Sequence, residues 1–146
     1  MVIGTETEPK GIYRRIIEAI SHGDSNALER LIAPDVVDRN PIPGQAAGLD
    51  GFKQWMASAR TSFPDLQGSV EDVIGEGDRV AARMTWYGTH RGDFVGVPPT
   101  NKRIAMTAFH HVRFAGGRAA EWWGAADVFG ALQQVGATIV SPKPDY

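Results

Sequence analysis

The spacing of hydrophobic residues changes near the middle of the chain. In the first half, apolar residues recur every three or four positions, as on one face of an α-helix. Three segments have this spacing, and a glycine or proline ends each: "GIYRRIIEAISHGD" with Gly23, "DSNALERLIAPD" with Pro34, and "LDGFKQWMASARTSF" before Pro64. The prolines of "VVDRNPIPGQAAG", between the second and third segments, exclude a central strand. We therefore predict two helices, an irregular connection and a third helix.

In the second half the hydrophobic period becomes two, which is typical of strands. "SVEDVIGEGDRVAARMTWYGTH" predicts a hairpin turning at residues 75–78, and "KRIAMTAFHHVRFAGGRAAEWWGAAD" predicts another turning at Gly116 and Gly117. A closing helix, "VFGALQQVG", should end at Gly136. Helices followed by long antiparallel strands favour an α+β fold, with the helices on one face of a strongly curved sheet.

The chain has 146 residues, which fits one domain over residues 1–146, with a polar leader at 1–8 and a tail at 137–146. A chain of this length buries roughly two-thirds of its unfolded surface. This is enough for a core and a modest internal pocket.

Composition narrows the range of functions. The formal net charge is −2, so no strong field favours nucleic acid or anionic lipid as a partner. The absence of cysteine excludes thiolate nucleophiles and zinc–thiolate sites, and the histidines share no closely spaced ligand motif, so we expect no metal site. No signal peptide or membrane-spanning segment is evident, which favours a cytoplasmic location.

Alternation along the strands predicts which side chains face inward. On one strand Val80, Met84 and Trp86 share a face, and on the next His110 lies on the same face as five apolar residues (Ile104, Met106, Ala108, Val112 and Phe114). His110 is therefore either a hydrogen-bonded core residue or a ring nitrogen that lines a cavity, where it could polarise a carbonyl group or move a proton.

Asp127 lies where the last strand meets the closing helix. Its carboxylate could cap that helix, for which Asp is among the preferred residues. Alternatively, it could form the floor of a pocket, where apolar surroundings would raise its basicity. The two roles are compatible if each carboxylate oxygen serves one of them.

The segment "WYGTHRGDFVGVPPTNKR" is a long hairpin connection, and long ordered loops tend to be functional. Pro98 and Pro99 stiffen it, and three glycines permit backbone angles that other residues avoid. His90 lies where the strand ends, and periodicity leaves open whether its ring is solvated or reaches over a ligand.

One outward face of the sheet carries Tyr87, Phe109, His111 and Trp123 and is unusually aromatic. Exposed apolar patches often mark interfaces. We therefore predict a homodimer or a higher homo-oligomer.

Three segments together resemble the SnoaL-like polyketide cyclase family, also called ester cyclases. "YGTHRGDFVGVPPTNKR" matches the family pattern Gly-x-His-x-Gly-x-x-x-Gly-x-Pro-Pro-Thr, "GGRAAEWWGAADVFGALQQVG" matches its C-terminal segment, and "PDVVDRNP" is similar to its Asp-His-Asn-Pro region. The resemblance extends over nearly the whole chain. It implies the cone-shaped α+β fold of ketosteroid isomerase and scytalone dehydratase, with the N-terminal helices over the concave face of the sheet and an internal hydrophobic pocket.

The resemblance also implies a reaction. Family members in antibiotic pathways close a ring by intramolecular aldol condensation without metal or cofactor: an aspartate removes a proton flanked by carbonyl groups, and a histidine stabilises the enolate. By this resemblance His110 matches the pocket histidine, His90 the loop histidine, and Asp38 or Asn40 a polar pocket residue. We expect Asp127 to act as the base and His110 as the acid or hydrogen-bond donor, with Trp86, Met56 and Trp122 adding ligand-facing surface.

The acid of the antibiotic cyclases falls at Gly124, three positions before Asp127. The leading hypothesis is a cyclase acting on a small hydrophobic ligand, such as an aromatic compound or a polyketide. The alternatives are an isomerase, dehydratase or epoxide hydrolase on the same fold, and a non-catalytic binding protein that has lost the family acid.

Overall fold

The computed structural model describes residues 8–144, which form four helices and one five-stranded sheet. The helices are α1 (Pro9–His22), α2 (Ser25–Leu31), α3 (Gly48–Ser62) and α4 (Val128–Gln134). Helices α1, α3 and α4 begin and end close to the predicted positions. Helix α2 is shorter than predicted: it ends at Leu31 and not at Pro34, because the backbone is already extended at Ile32. Gly23 ends α1 in the left-handed region, with φ of 65°, and Asp24 caps α2 by accepting the Ala27 backbone N–H.

The strands are β1 (Ile32–Asp38), β2 (Gln67–Glu76), β3 (Arg79–Thr89), β4 (Arg103–Ala115) and β5 (Arg118–Ala126). Their order in the sheet is β1-β5-β4-β3-β2. The two predicted hairpins are present. The sheet is curved and open, and together with the helices it forms an α+β fold.

The predicted irregular connection is present at residues 39–47 but not at residues 36–38, because β1 runs through Pro34 to Asp38. The strand lies at the edge of the sheet and pairs only with β5, and the two are parallel, so the sheet is mixed and not purely antiparallel. An edge strand tolerates proline because one side needs no hydrogen bonds. The ladder is interrupted between Ile32 and Val37, which is where Pro34 lies.

The inward faces of β3 and β4 are those that the alternation predicts. Val80, Met84 and Trp86 of β3 are buried, as are most of the predicted inward residues of β4. Helix α1 packs four residues at helical spacing into this core, namely Tyr13, Ile16, Ile17 and Ile20. The concave face of the sheet therefore forms the core, and a gap in that core is the candidate site.

Candidate active site

A cavity of about 490 Å³ lies between α3 and the concave face of the sheet. Most of its lining is apolar or aromatic, including Phe52, Trp55, Trp86, Ile104 and Trp122. The polar side chains come from Asp38, Asn40, Gln45, Ser58, Ser62 and His110. Among the described lining residues Asp38 is the only acidic one, and none is Lys or Arg. A cavity of this size and character is typical of a small-molecule site.

His110 lines this cavity from the middle of β4, as the alternation predicts. Its Nδ1 lies 2.8 Å from the hydroxyl oxygen of Tyr13, a fully buried residue of α1. Within residues 8–144 this is the one hydrogen-bond partner of that hydroxyl. The Tyr13 O–H must therefore donate to Nδ1, because the opposite arrangement would leave its hydrogen buried without an acceptor.

The proton of the neutral His110 ring consequently lies on Nε2. Burial lowers the pKa of His110 to about 4, so that the ring is neutral near pH 7. Burial also raises the pKa of Tyr13, which keeps its hydroxyl protonated. His110 thus presents a neutral N–H donor rather than an imidazolium ion.

The carboxylate of the cavity is Asp38, at the end of β1. Asp38 is registered with Trp122 on β5, so the two side chains lie on the same face of the parallel pair. Its Oδ2 accepts a hydrogen bond from Gln45 Nε2 at 2.9 Å, and its Oδ1 accepts one from the Asn40 backbone N–H at 2.9 Å. These two bonds fix the carboxyl group in its position in the cavity wall.

Gly124 of β5 lies directly opposite His110 of β4 and also lines the cavity. Its backbone N–H donates to Asn40 Oδ1 at 3.1 Å, which ties the end of β1 to β5. The rings of His110 and Trp122 pack against each other with centroids 4.9 Å apart. Asp38, Asn40, Trp86, His110 and Trp122 are therefore brought together as predicted, although their roles remain predictions.

Asp127 is not part of this group. Its side chain is exposed and accepts the backbone N–H of Gly130 at 2.9 Å, as an N-cap of α4, and the residue does not line the cavity. The expected convergence of Asp127 and His110 on one cavity is absent from the structure. The physical reason is that β5 ends before Asp127. Its carboxylate instead points to the backbone N–H groups in the first turn of α4, which have no partner within the helix.

His90 and Met56 also lie apart from the cavity lining. His90 is fully buried at the base of the loop between β3 and β4, where its Nδ1 lies 2.9 Å from Thr100 Oγ1 and accepts the Thr100 backbone N–H at 3.3 Å. Its ring packs near Phe63 and Phe94 instead of reaching over a ligand. Met56 is buried in the hydrophobic core and does not line the cavity.

The loop between β3 and β4 contributes Phe94 and Val95 to the cavity rim. Phe94 and Val97 exchange two backbone hydrogen bonds, which makes a tight turn with Val95 and Gly96 at its tip. Both tip residues have positive φ, 51° for Val95 and 80° for Gly96. Such a φ is uncommon for a β-branched residue, so Val95 holds a strained conformation at the rim.

Two residues of the site were not predicted. Tyr13 lies three positions before Ile16 on the same face of α1, so its inward direction could have been read from the helical spacing, but its hydrogen bond to His110 depends on tertiary packing. Gln45 lies in the connection from β1 to α3, where no periodicity indicates direction.

The fold and the site define a class of protein: an α+β sheet curved around an apolar cavity that holds one carboxylate and one neutral imidazole. Residues 10–135 match the model of the SnoaL-like polyketide cyclase family, and the chain belongs to that family.

Among characterised relatives, the chain is similar to nogalonic acid methyl ester cyclase of Streptomyces nogalater. The two are 29% identical over 133 residues, covering 89% of this chain and 96% of the relative. It is also similar to aklanonic acid methyl ester cyclase AcmA of Streptomyces galilaeus, at 28% identity over 134 residues, covering 89% of this chain and 92% of the relative.

Two solved structures show the same fold. Wild-type IdmH of Streptomyces antibioticus has a TM-score of 0.80 and 33% identity, covering 89% of this chain and 99% of IdmH. TsrD of Streptomyces laurentii has a TM-score of 0.83 at 23% identity, covering 94% of this chain and all of TsrD (100%), which is a likeness in fold alone.

None of the helices formed by residues 8–144 is long and apolar enough to cross a membrane. Within the same residues, no three side chains of His, Asp or Glu come together as a metal-binding group.

Proposed function

We propose that this protein is a cofactor-independent cyclase that closes a ring in a hydrophobic carbonyl substrate by an intramolecular aldol-type reaction. The observation that carries the proposal is that Asp38 and His110 open into one mostly apolar cavity. Their strands are separated by β5, and Asp38 is opposite Trp122, two residues along β5 from the Gly124 position that faces His110. The two backbone positions are therefore about 12 Å apart, from two strand spacings of about 4.8 Å and a rise of about 3.4 Å per residue. This distance leaves room for the reacting part of a substrate between them.

In the proposed reaction Asp38 acts as the general base, the role that was predicted from the sequence for Asp127. The Asp38 carboxylate removes a proton from a carbon flanked by carbonyl groups, and the electrons of the broken C–H bond form an enolate. The enolate carbon then attacks a second carbonyl carbon of the same molecule and forms the new C–C bond. The resulting alkoxide takes the proton back from Asp38, which restores the carboxylate.

His110 supports this reaction as a hydrogen-bond donor. Its Nε2–H, fixed by the Tyr13 hydroxyl, stabilises the negative charge that develops on the enolate oxygen. Because the low pKa of His110 keeps the ring neutral, the histidine donates a hydrogen bond without transferring its proton. The apolar lining excludes water and strengthens this interaction.

The charge of the lining favours an uncharged substrate. A free carboxylate on the substrate would be buried near Asp38 without a cation among the described lining residues, which is costly. An ester avoids this cost. This agrees with the two relatives, which are both named as methyl ester cyclases.

The matched pair Asp38→Asn and Asp127→Asn tests the proposal. With nogalonic or aklanonic acid methyl ester as the first substrates, Asp38→Asn should lower kcat by about 10²–10⁴-fold, the usual contribution of a general base. Asp127→Asn should leave kcat within about twofold, because asparagine also caps helices well. Ligand binding, followed by Trp fluorescence, should persist in both variants.

Unchanged turnover by Asp38→Asn would remove Asp38 from the mechanism, and a loss in Asp127→Asn alone would restore the original assignment. The same assays separate the alternatives. An isomerase, dehydratase or epoxide hydrolase would give products without the new C–C bond. Gly124 favours a non-catalytic binding protein as the second candidate, which would bind the esters and convert neither.

We also propose that the protein forms a homodimer through the outer face of the sheet. Phe109 is 57% exposed there and Ile74 65%, and the rings of His111 and Trp123 lie beside them with centroids 5.2 Å apart. Apolar surface of this kind is often covered in an oligomer. A monomer in sedimentation at micromolar concentration would contradict this proposal.

A further inference from the structure

The inward face of β5 has a gap at Gly124. A Cβ atom placed on Gly124 would lie 3.2 Å from His110 Cδ2 and 3.3 Å from Trp122 Nε1. Both distances are shorter than an ordinary van der Waals contact, so a side chain would press on both rings. Glycine instead leaves open the cavity space over its Cα, which is the gap. The gap belongs to the cavity, since all three residues line it.

The backbone does not require glycine at this position. Gly124 lies in the interior of β5, paired with His110, and its φ is not among the positive values of the chain. Its N–H is already bound by Asn40. What glycine provides at position 124 is therefore space and not conformational freedom.

Two N–H donors face this space. The indole N–H of Trp122 has no acceptor among residues 8–144, although the residue is only 5% exposed. On the other side, His110 Cδ2 is bonded to Nε2, which bears the proton because Tyr13 occupies Nδ1. A ligand oxygen over the Gly124 Cα would lie beyond the Cβ position, next to the indole nitrogen of Trp122 and the Cδ2–Nε2 side of the His110 ring.

We propose that the gap at Gly124 binds the oxygen of the substrate carbonyl group that becomes the enolate, with Trp122 Nε1–H and His110 Nε2–H as its two donors. This inference deepens the proposed function and rests on it. Trp122 becomes a catalytic residue in this assignment, since it touches the oxygen on which charge develops. Both donors are in place before the reaction, which is the arrangement that stabilises a developing oxyanion most effectively.

Asp38 is placed to remove the proton from the carbon next to the carbonyl group whose oxygen occupies the gap. It is registered with Trp122 on the neighbouring strand, so its carboxylate and the indole approach the substrate from adjacent strands. The carbonyl oxygen in the gap and the acidic C–H beside Asp38 then belong to the same carbonyl group and its neighbouring carbon in the substrate. The ligand class is thus an enolisable ketone or ester, such as a β-dicarbonyl compound.

The test uses 1-phenylbutane-1,3-dione, whose enolate is distinguished from the neutral forms by its ultraviolet absorption. The protein is the Asp38→Asn variant, because the Asp38 charge would oppose a bound anion. In this background the affinity for the enolate should exceed that for the neutral diketone. Adding Trp122→Phe should weaken enolate binding by about tenfold or more, since a hydrogen bond to a charged group is lost.

Trp123→Phe in the same background is the matched control. Trp123 is adjacent in sequence but lies on the opposite face of β5, where it packs against His111. Enolate binding should change less than twofold in this variant. Thermal unfolding of each variant checks that the fold is retained.

Gly124→Ala provides an independent arm, because the backbone at this position does not require glycine and the added methyl group would crowd both rings and narrow the gap. It should also weaken enolate binding by about tenfold, with binding of the neutral diketone less affected. Equal enolate affinity in the Trp122→Phe and Trp123→Phe variants, or unchanged affinity in Gly124→Ala, would overturn the inference.

The failure of this inference differs from a failure of the proposed function. If Asp38→Asn abolishes turnover but Trp122→Phe leaves enolate binding unchanged, the cyclase proposal stands and the oxygen site is elsewhere. If the enolate binds as expected but Asp38→Asn retains full turnover, the oxygen site stands and the base is a different group.

Discussion

His90 and His110 share a hydrogen-bonding pattern but differ in what surrounds their second nitrogen. In each ring, Nδ1 is hydrogen-bonded to a hydroxyl group: that of Thr100 for His90 and that of Tyr13 for His110. The Nε2 of His90 is buried without a hydrogen-bond partner among the described residues, close to the rings of Phe63 and Phe94. His110, by contrast, lies in the wall of the cavity.

This difference separates a structural histidine from a candidate catalytic one. His90 joins the two ends of the loop between β3 and β4, since its backbone also pairs with Lys102 and Asn101. His110 has one buried partner, Tyr13, and faces the ligand space with the rest of its ring. A buried histidine with one ring nitrogen that makes no hydrogen bond therefore indicates a catalytic role only when the surroundings of that nitrogen are known.

The largest expected effect comes from replacing each histidine with phenylalanine. His110→Phe should lower kcat by about 10²–10³-fold, because the donor to the enolate oxygen is lost. His90→Phe should leave kcat nearly unchanged and lower the free energy of unfolding by about 1–3 kcal/mol, since it leaves the Thr100 N–H unpaired. Steady-state kinetics and urea denaturation of both variants measure the two effects. A large loss of kcat in His90→Phe without loss of stability would contradict the distinction.

The pH dependence of stability sharpens the comparison. Because burial lowers the pKa of folded His110 to about 4, below the ordinary value of about 6.5, the unfolded chain binds the proton more readily. The His110 contribution is therefore fully present above pH 6.5 and is lost as the pH falls towards 4, to the extent of about 3 kcal/mol.

Urea denaturation of the wild type and of His110→Phe at pH 7 and pH 4.5 measures this contribution. The wild type should lose more stability than the variant between the two values. Carboxyl groups whose pKa is lowered by hydrogen bonds, such as Asp65 with Thr89, act in both proteins and cancel in the difference. An equal loss in both would show that His110 does not titrate as expected.

The smallest effects come from removing the hydroxyl partner of each histidine. Tyr13→Phe should lower kcat by about tenfold, because the His110 proton is no longer confined to Nε2, and should shift the pH profile of kcat. Thr100→Val keeps the shape of the side chain and should cost about 1 kcal/mol of stability with kcat unchanged. A shifted pH profile in Thr100→Val, or an unaltered profile in Tyr13→Phe, would reverse the two roles.

Most of the fold could be predicted from the sequence because the helices and β2–β5 carry strong local signals. The inward placement of His110 followed from alternation along β4 alone. β1 was missed because "IAPDVVD" contains proline and pairs with β5, some 85 positions further along the chain, so neither its composition nor its neighbours indicate a strand.

The carboxylate was the harder part of the site. Asp38 is the last residue of β1, and Asp127 directly follows β5. The carboxylate of each accepts a hydrogen bond from a nearby backbone N–H. Local sequence therefore does not separate them. The distinction arises from tertiary structure, because parallel pairing with β5 turns Asp38 inward beside Trp122, whereas the start of α4 directs Asp127 to solvent.

The pairing of β1 with β5 also has a consequence for biosynthesis. Asp38 leaves the ribosome well before its partner strand β5, which is some 85 positions further along the chain. Asp38 and His110 can therefore line one cavity only after β5 has been synthesised. A nascent or prematurely terminated chain that lacks β5 is missing one wall of the cavity and has no enclosed site for binding a reactive substrate.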